Sequence, residues 1–153
     1  MMHEHFTSTE IAGIIREMGY KARIDVGENF ARIESASSGA RWTVQLGGHE
    51  PFFNSMYLSL SAWTKRDPLL WCNDWNSHHV WSSAHIIMPE IDVKPIPDAD
   101  GDFNVIVSTG HDFEGGTCES HLIHCFETWI TTVDEIIATH DIVQWAVPEF
   151  RHH

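Results

Sequence analysis

Basic residues are scarce in this chain, and their scarcity argues against several classes of partner. The 153 residues include nine Lys and Arg against 22 Asp and Glu, which gives a formal net charge of −13. From Glu90 to the C-terminus only Lys94 and Arg151 are basic, whereas thirteen residues are acidic. Such a surface repels phosphate backbones and anionic lipids, so we expect neither a nucleic-acid nor a membrane partner. A simple solubilising role is the plainer interpretation of the acidity.

Cysteines and long apolar runs are also few. The three Cys cannot all pair with one another and none stands in a CxxC motif, a pattern typical of reduced thiols in the cytoplasm. The N-terminus has no basic stretch followed by an apolar run, so we expect no signal peptide. No apolar run approaches the roughly 18 residues of a membrane helix. We therefore predict a cytoplasmic protein with a single domain spanning 1–153, a usual domain length.

Local catalytic motifs are missing as well. No G-x-S-x-G stretch is present, and the pairs Gly47-Gly48 and Gly115-Gly116 lack the Lys and Ser/Thr of a phosphate loop. The acidic stretch Asp98–Asp102 lacks the frame and closing Glu of a calcium loop, and it is better interpreted as a hairpin turn. We predict no enzymatic activity and no cofactor, although a triad can assemble from distant residues.

Histidine is abundant, and twelve His raise the question of metal binding. The best cluster is Cys118, His121, His124 and Cys125 in the predicted last helix. Residues three or four apart share a helix face, but with Leu122 toward the core the two Cys lie inward and His124 points away. The four side chains therefore should not converge on one tetrahedral centre. Surface histidines are the simpler interpretation, and a small zinc hydrolase using His121 and His124 is the alternative function.

Hydrophobic periodicity predicts an α+β fold with helices packed against an antiparallel sheet. Predicted helices cover 8–18, from Asp67 to about Ser83, and from Thr117 to about His140, the first opened by a capping box. Strand patterns occur over 20–26, 30–36, 41–46, 52–63, 91–96 and 103–107. The predicted order, α-β-β-β-α-β-β-α, counts three strands before the second helix although four segments there show a strand pattern.

The most informative segment, in the predicted second helix, carries Trp71, Trp75 and Trp81 together with Asn73 and Asn76. Asn is a mediocre helix former, but its amide can make up to about four hydrogen bonds. One interpretation is that the Trp residues dock the helix on the sheet while the two Asn hold a neighbouring backbone. The other is a direct surface for a binding partner, and the two can coexist.

This segment resembles the YbjN family of bacterial sensory transduction regulators, most closely its actinobacterial-type members. The resemblance covers roughly residues 65–140 and rests on a CNxWN stretch, a Trp five residues later, and a Gly before a Thr and an acidic residue. The matching residues are Cys72, Asn73, Trp75, Asn76, Trp81, Gly116, Thr117 and Glu119.

The resemblance implies a fold similar to type III secretion chaperones, commonly dimeric, with no established enzymatic activity or cofactor. The family is loosely linked to regulation of stress responses and motility. This chain departs from it at Ser77-His78-His79, where relatives often carry positive charge, and in the proline-containing segment 86–97. We therefore predict a non-enzymatic, homodimeric, chaperone-like domain that binds a protein or peptide.

Overall fold

The computed structural model describes residues 5–27, 30–49, 52–64, 67–79, 82–87, 103–113 and 116–138. The predicted strand over 91–96, the predicted turn at 98–102, Trp81 and the predicted helix end at His140 lie outside the described residues.

The described residues form three helices and one six-stranded antiparallel sheet, which confirms the α+β class. The elements in chain order are α1 (Ser8–Glu17), β1 (Arg23–Val26), β2 (Ala31–Ser37), β3 (Ala40–His49), β4 (Phe52–Thr64), α2 (Leu69–His78), β5 (Ser83–Ile87), β6 (Phe103–Asp112) and α3 (Glu119–Ala138). The strands are arranged β1-β2-β3-β4-β6-β5. Four strands, rather than the three counted from the sequence, lie between α1 and α2.

Local sequence signals explain why several elements begin where they do. At α1 the hydroxyl of Thr7 accepts the backbone N–H of Glu10 at 3.1 Å, and the Glu10 carboxylate accepts the N–H of Thr7 at 3.0 Å, which confirms the capping box. Ser38 and Gly39 join β2 to β3 with positive φ angles of 53° and 79°. A two-residue turn with both φ values positive matches the right-handed twist of the flanking strands.

The second helix is shorter than predicted. It ends at His78, and Ser83, the predicted helix end, is the first residue of β5. The chain turns into extended backbone at His79, with φ −128° and ψ 103°. Pairing of Ser83 with Ser108 of β6 then places the following residues in the sheet. The strand partner is remote in sequence, so helical periodicity alone could not locate this boundary.

The core lies between one face of the sheet and the helices α1 and α3, which contact each other. Alternate residues of β4 point inward, as the period-two pattern predicts, and Met56, Leu58, Leu60 and Ala62 are buried.

The sequence of α3 predicts a buried stripe formed by Leu122, Phe126, Trp129 or Ile130, Val133 and Ile137. The structure follows this prediction over most of the helix. Leu122, Phe126 and Val133 are buried as predicted, and Trp129 rather than Ile130 takes the middle position. Ile136 replaces the predicted Ile137 as the last fully buried residue, while Ile137 is partly buried. Trp129 and Trp42 of β3 pack edge to face, with ring centroids 6.4 Å apart and an interplanar angle of 77°. The packing of β3 against α3 therefore includes this aromatic contact.

Candidate functional site

One face of α2 carries a stack of three aromatic rings. Trp71 and Trp75 stack with ring centroids 5.2 Å apart, and Trp75 stacks on His79 with centroids 3.7 Å apart and planes 11° from parallel. The three residues are spaced by four, which places them above one another on a helix. Trp71 is 6% exposed and Trp75 is 4% exposed. The stack therefore faces the protein interior.

Polar atoms of the same face tie α2 to β5. The indole N–H of Trp75 donates to the hydroxyl of Ser82 at 3.1 Å. The amide of Asn76 donates to the backbone carbonyl of Ala84 at 2.8 Å and accepts the N–H of Ala84 at 2.7 Å. The Asn76 amide thus makes with Ala84 the two hydrogen bonds that the backbone of a neighbouring strand would make. It occupies part of the outer edge of β5, an edge strand.

These contacts correspond to the docking interpretation of the predicted site residues. Trp71 and Trp75 are buried, so neither can touch a partner while α2 stays in place. Both asparagines are exposed, but Asn76 also holds a neighbouring backbone through its amide. Trp81 lies outside the described residues.

The outward face of α2 is apolar at its first turn. Leu70 is 82% exposed and Leu69 is 43% exposed. Sequence reasoning placed Leu70 in the informative segment of the helix but predicted exposure of neither leucine. Successive helical residues diverge by about 100°, so Leu70 and Trp71 lie on different sides of α2, but only the burial of Trp71 and Trp75 shows that Leu70 is on the outward side.

The ring of His79 links α2 to α3. Its Nδ1 lies 2.9 Å from the backbone carbonyl oxygen of Trp75, and its Nε2 lies 2.8 Å from Oε2 of Glu135. Sequence reasoning noted His79 as a departure from the family pattern and, with His78 and His85, as a further metal ligand if the second and last helices meet; it did not predict the contact with Glu135. The spacing of four residues between Trp75 and His79 is a local signal for the stacking of their rings. The contact with Glu135 has no such signal, because the two residues are 56 positions apart in the sequence.

The structure brings together only part of the predicted metal cluster. The Sγ of Cys125 lies 3.6 Å from Nε2 of His121 and 3.6 Å from Nδ1 of His111. Cys118 instead contacts Ser120, and His124 is exposed. Among the described residues no three His, Cys, Asp or Glu side chains are placed to hold a metal ion. The zinc-hydrolase alternative therefore gains no support from this arrangement.

Burial shifts the pKa values of His111 and Cys125. Burial lowers the pKa of His111, and the nearby His121 and His124 lower it further because their positive charges disfavour a third. Burial also raises the pKa of the Cys125 thiol. Both side chains are thus favoured in their neutral forms. His111 was missed in the sequence because it lies on β6, and only the packing of α3 over the sheet brings it to Cys125.

The pKa values of the other two thiols, Cys72 and Cys118, are shifted in opposite directions. Burial, with a contribution from the charge of Asp67, raises the pKa of Cys72 to about 11. Hydrogen bonds from the Ser120 hydroxyl and the backbone N–H of His121 lower the pKa of Cys118, which lies just before α3. The three cysteines form no disulfide with one another.

A cleft of about 550 Å³, lined about equally by polar and apolar surface, lies at the ends of β4 and β6. It is lined by Asn54, Ser55, Met56, Tyr57, Gly110, His111 and Asp112. The cleft is open to solvent, whereas small-molecule sites bury most of their ligand and are mainly apolar. We therefore take the outward face of α2 as the candidate functional site.

Comparisons of the chain with protein families, with curated proteins and with solved structures found no match. The described fold defines the class: an α+β domain with α1 and α3 on a six-stranded antiparallel sheet and α2 fastened to its edge strand. None of the described helices is long and apolar enough to cross a bilayer.

Proposed function

We propose that this protein is a non-enzymatic, cytoplasmic, chaperone-like domain of the YbjN type that binds a protein or peptide through the outward face of α2. The observation that carries the proposal is the exposed pair Leu69 and Leu70 on a helix whose opposite face is firmly anchored. The CNxWN resemblance supports the same class of function.

The anchoring matters because a binding surface is more effective when it is already ordered. Trp71 and Trp75 fill the core side of α2, and Asn76 fixes the helix to β5 through two hydrogen bonds. The exposed residues are therefore presented on a rigid element, and less conformational entropy is lost on binding. Complete burial of one leucine side chain contributes about 1.5–3 kcal/mol.

The chemistry beside the two leucines indicates the kind of partner. Asn73 lies one turn after Leu70 and is exposed, so its amide can donate and accept hydrogen bonds with a partner. Asp74 is also exposed, and the chain as a whole is strongly acidic. These features suit an amphipathic partner segment that combines apolar side chains with Lys or Arg.

A selection experiment tests this surface with random peptides in place of the natural partner. Peptides are selected from a random library against the tag-free protein, and their affinities are measured by fluorescence anisotropy. We expect Leu70→Ser to weaken binding about tenfold, which corresponds to about 1.4 kcal/mol. The matched control is Tyr57→Ser, because Tyr57 is another exposed large side chain but lies on β4.

Unchanged binding by the Leu70→Ser protein, or failure to select any peptide, would refute the assignment of this face. Circular dichroism spectra of both variants establish that they are folded. Dimerisation is a separate proposal that follows from the family resemblance, and sedimentation equilibrium of the full chain decides it.

A further inference from the structure

Both ring nitrogens of His79 face acceptor oxygens. Nδ1 lies 2.9 Å from the backbone carbonyl oxygen of Trp75, and Nε2 lies 2.8 Å from the carboxylate of Glu135. A neutral imidazole has one N–H and can donate to only one of these oxygens. Both hydrogen bonds form together only when the ring carries two protons and is positively charged.

Two further features of the surroundings favour the charged ring, in addition to the contact with Glu135. The imidazole lies flat on the indole of Trp75, with a centroid distance of 3.7 Å, and the face of an indole attracts cations. His79 follows the last residue of α2, where the helix dipole presents its negative end. The carboxylate of Glu135 completes an ion pair with the protonated ring.

Two neighbouring charged groups on the described parts of α2 and α3 have partners of their own. On α2, His78 pairs with Asp74 at 3.4 Å, one turn earlier in the same helix. On α3, the carboxylate of Asp134 accepts a hydrogen bond from the hydroxyl of Ser38 in the β2–β3 turn. Glu135 is therefore the carboxylate that faces the His79 ring from α3.

We propose that His79 is a proton-dependent latch that holds the C-terminal end of α2 against α3. In mild acid the ring makes both hydrogen bonds and the ion pair, and the two helices are joined. In mild alkali the ring loses one proton, and with it the ion pair and one of the two hydrogen bonds, while α2 stays attached to β5 through Asn76. The latch goes beyond the binding function proposed above, since it controls how firmly α2 is held.

A double-mutant cycle measures the latch directly. The four proteins are the natural chain, His79→Phe, Glu135→Gln and the double variant; Phe keeps a flat ring on Trp75 but has no nitrogen. Their unfolding equilibria are compared at pH 5.5 and pH 8.5. We expect a coupling of roughly fivefold in the unfolding equilibrium constant at pH 5.5, and less than twofold at pH 8.5. Asp134→Asn, the adjacent carboxylate, is the control and should show no coupling to His79 at either pH.

Nuclear magnetic resonance of the natural chain gives a readout that does not depend on the variants folding. Long-range proton–nitrogen spectra should show both ring nitrogens of His79 protonated at pH 5.5. A coupling of equal size at the two pH values overturns the proposal, and so does a ring with a single N–H at pH 5.5. Neither measurement involves a partner, so the peptide-binding proposal is tested independently.

Discussion

Replacing Asn76 with alanine removes the amide that fastens α2 to the edge of the sheet. The side chain makes two hydrogen bonds to a single residue, at 2.8 Å to the carbonyl of Ala84 and at 2.7 Å from its N–H. Asn73 lies on the same helix and is exposed, so Asn73→Ala is a matched control that changes the same chemical group at a position facing solvent.

The expected size of the effect follows from opposing contributions. Each lost hydrogen bond costs about 0.5–1.5 kcal/mol of stability, hence about 1–3 kcal/mol for the pair. Alanine is the better helix former, and this gain of about 0.5 kcal/mol applies equally to both substitutions. We therefore expect Asn73→Ala to be neutral or slightly stabilising. Asn76→Ala should be less stable than Asn73→Ala by about 1–3 kcal/mol.

Two assays check this prediction. Urea denaturation followed by tryptophan fluorescence gives the free energy of unfolding of each variant. Hydrogen exchange of the Ala84 amide reports on the site itself, because that N–H donates to Asn76 and should lose protection only in Asn76→Ala. If the two variants differ by less than about 0.3 kcal/mol and the Ala84 amide exchanges at the same rate in both, the fastening role of Asn76 is wrong.

Other predictions concern thiols, pH and one turn. At pH 7.5 iodoacetamide should modify Cys118 first, because its pKa is lowered and it is partly exposed, while Cys72 and Cys125 react only on unfolding; mass spectrometry identifies the sites. His111 has a lowered pKa in the folded chain, so the unfolded chain binds a proton more readily. Its contribution to stability is present above about pH 6.5 and lost as the pH falls toward the lowered value, and urea denaturation at several pH values measures it. Gly39→Ala should lower the free energy of unfolding by about 1 kcal/mol, because φ at Gly39 is 79°.

Each of these predictions has a control within the chain. Cys118→Ser should abolish the early modification, and a fast reaction that persists would show that another thiol is exposed. His111→Gln should remove its part of the acid sensitivity; an unchanged pH profile would contradict the prediction. Gly39→Asn should cost less than Gly39→Ala, since Asn tolerates positive φ better, and the reverse order would contradict the turn geometry.

Features encoded by neighbouring residues were predictable from the sequence. The capping box at Thr7 depends on Glu10 three residues later, and the inward residues of β4 follow a simple alternation. The end of α2 was predicted wrongly, at Ser83, because strand pairing with a remote segment decides that boundary. No periodicity rule describes such a contact.

In the candidate site, too, neighbouring residues predict some features, whereas others depend on contacts between segments far apart in the sequence. The residue types of the Asn/Trp segment identified α2, but they could not show which side of the helix is buried. Burial of Trp75 and exposure of Leu70 are settled by the position of β5. His111 reaches Cys125 only through the packing of α3 on the sheet, and nothing in the sequence around either residue indicates that contact.

The two hydrogen bonds between Asn76 and Ala84 have a consequence for folding and aggregation. Exposed strand edges recruit other chains, and the risk is greatest before folding is complete. Asn76 and Ala84 are only eight residues apart, so closing the loop between them costs little entropy. We expect this contact to form among the earliest in the chain. The edge of β5 would then be shielded at Ala84 early in folding, which limits the time in which it could pair with another molecule.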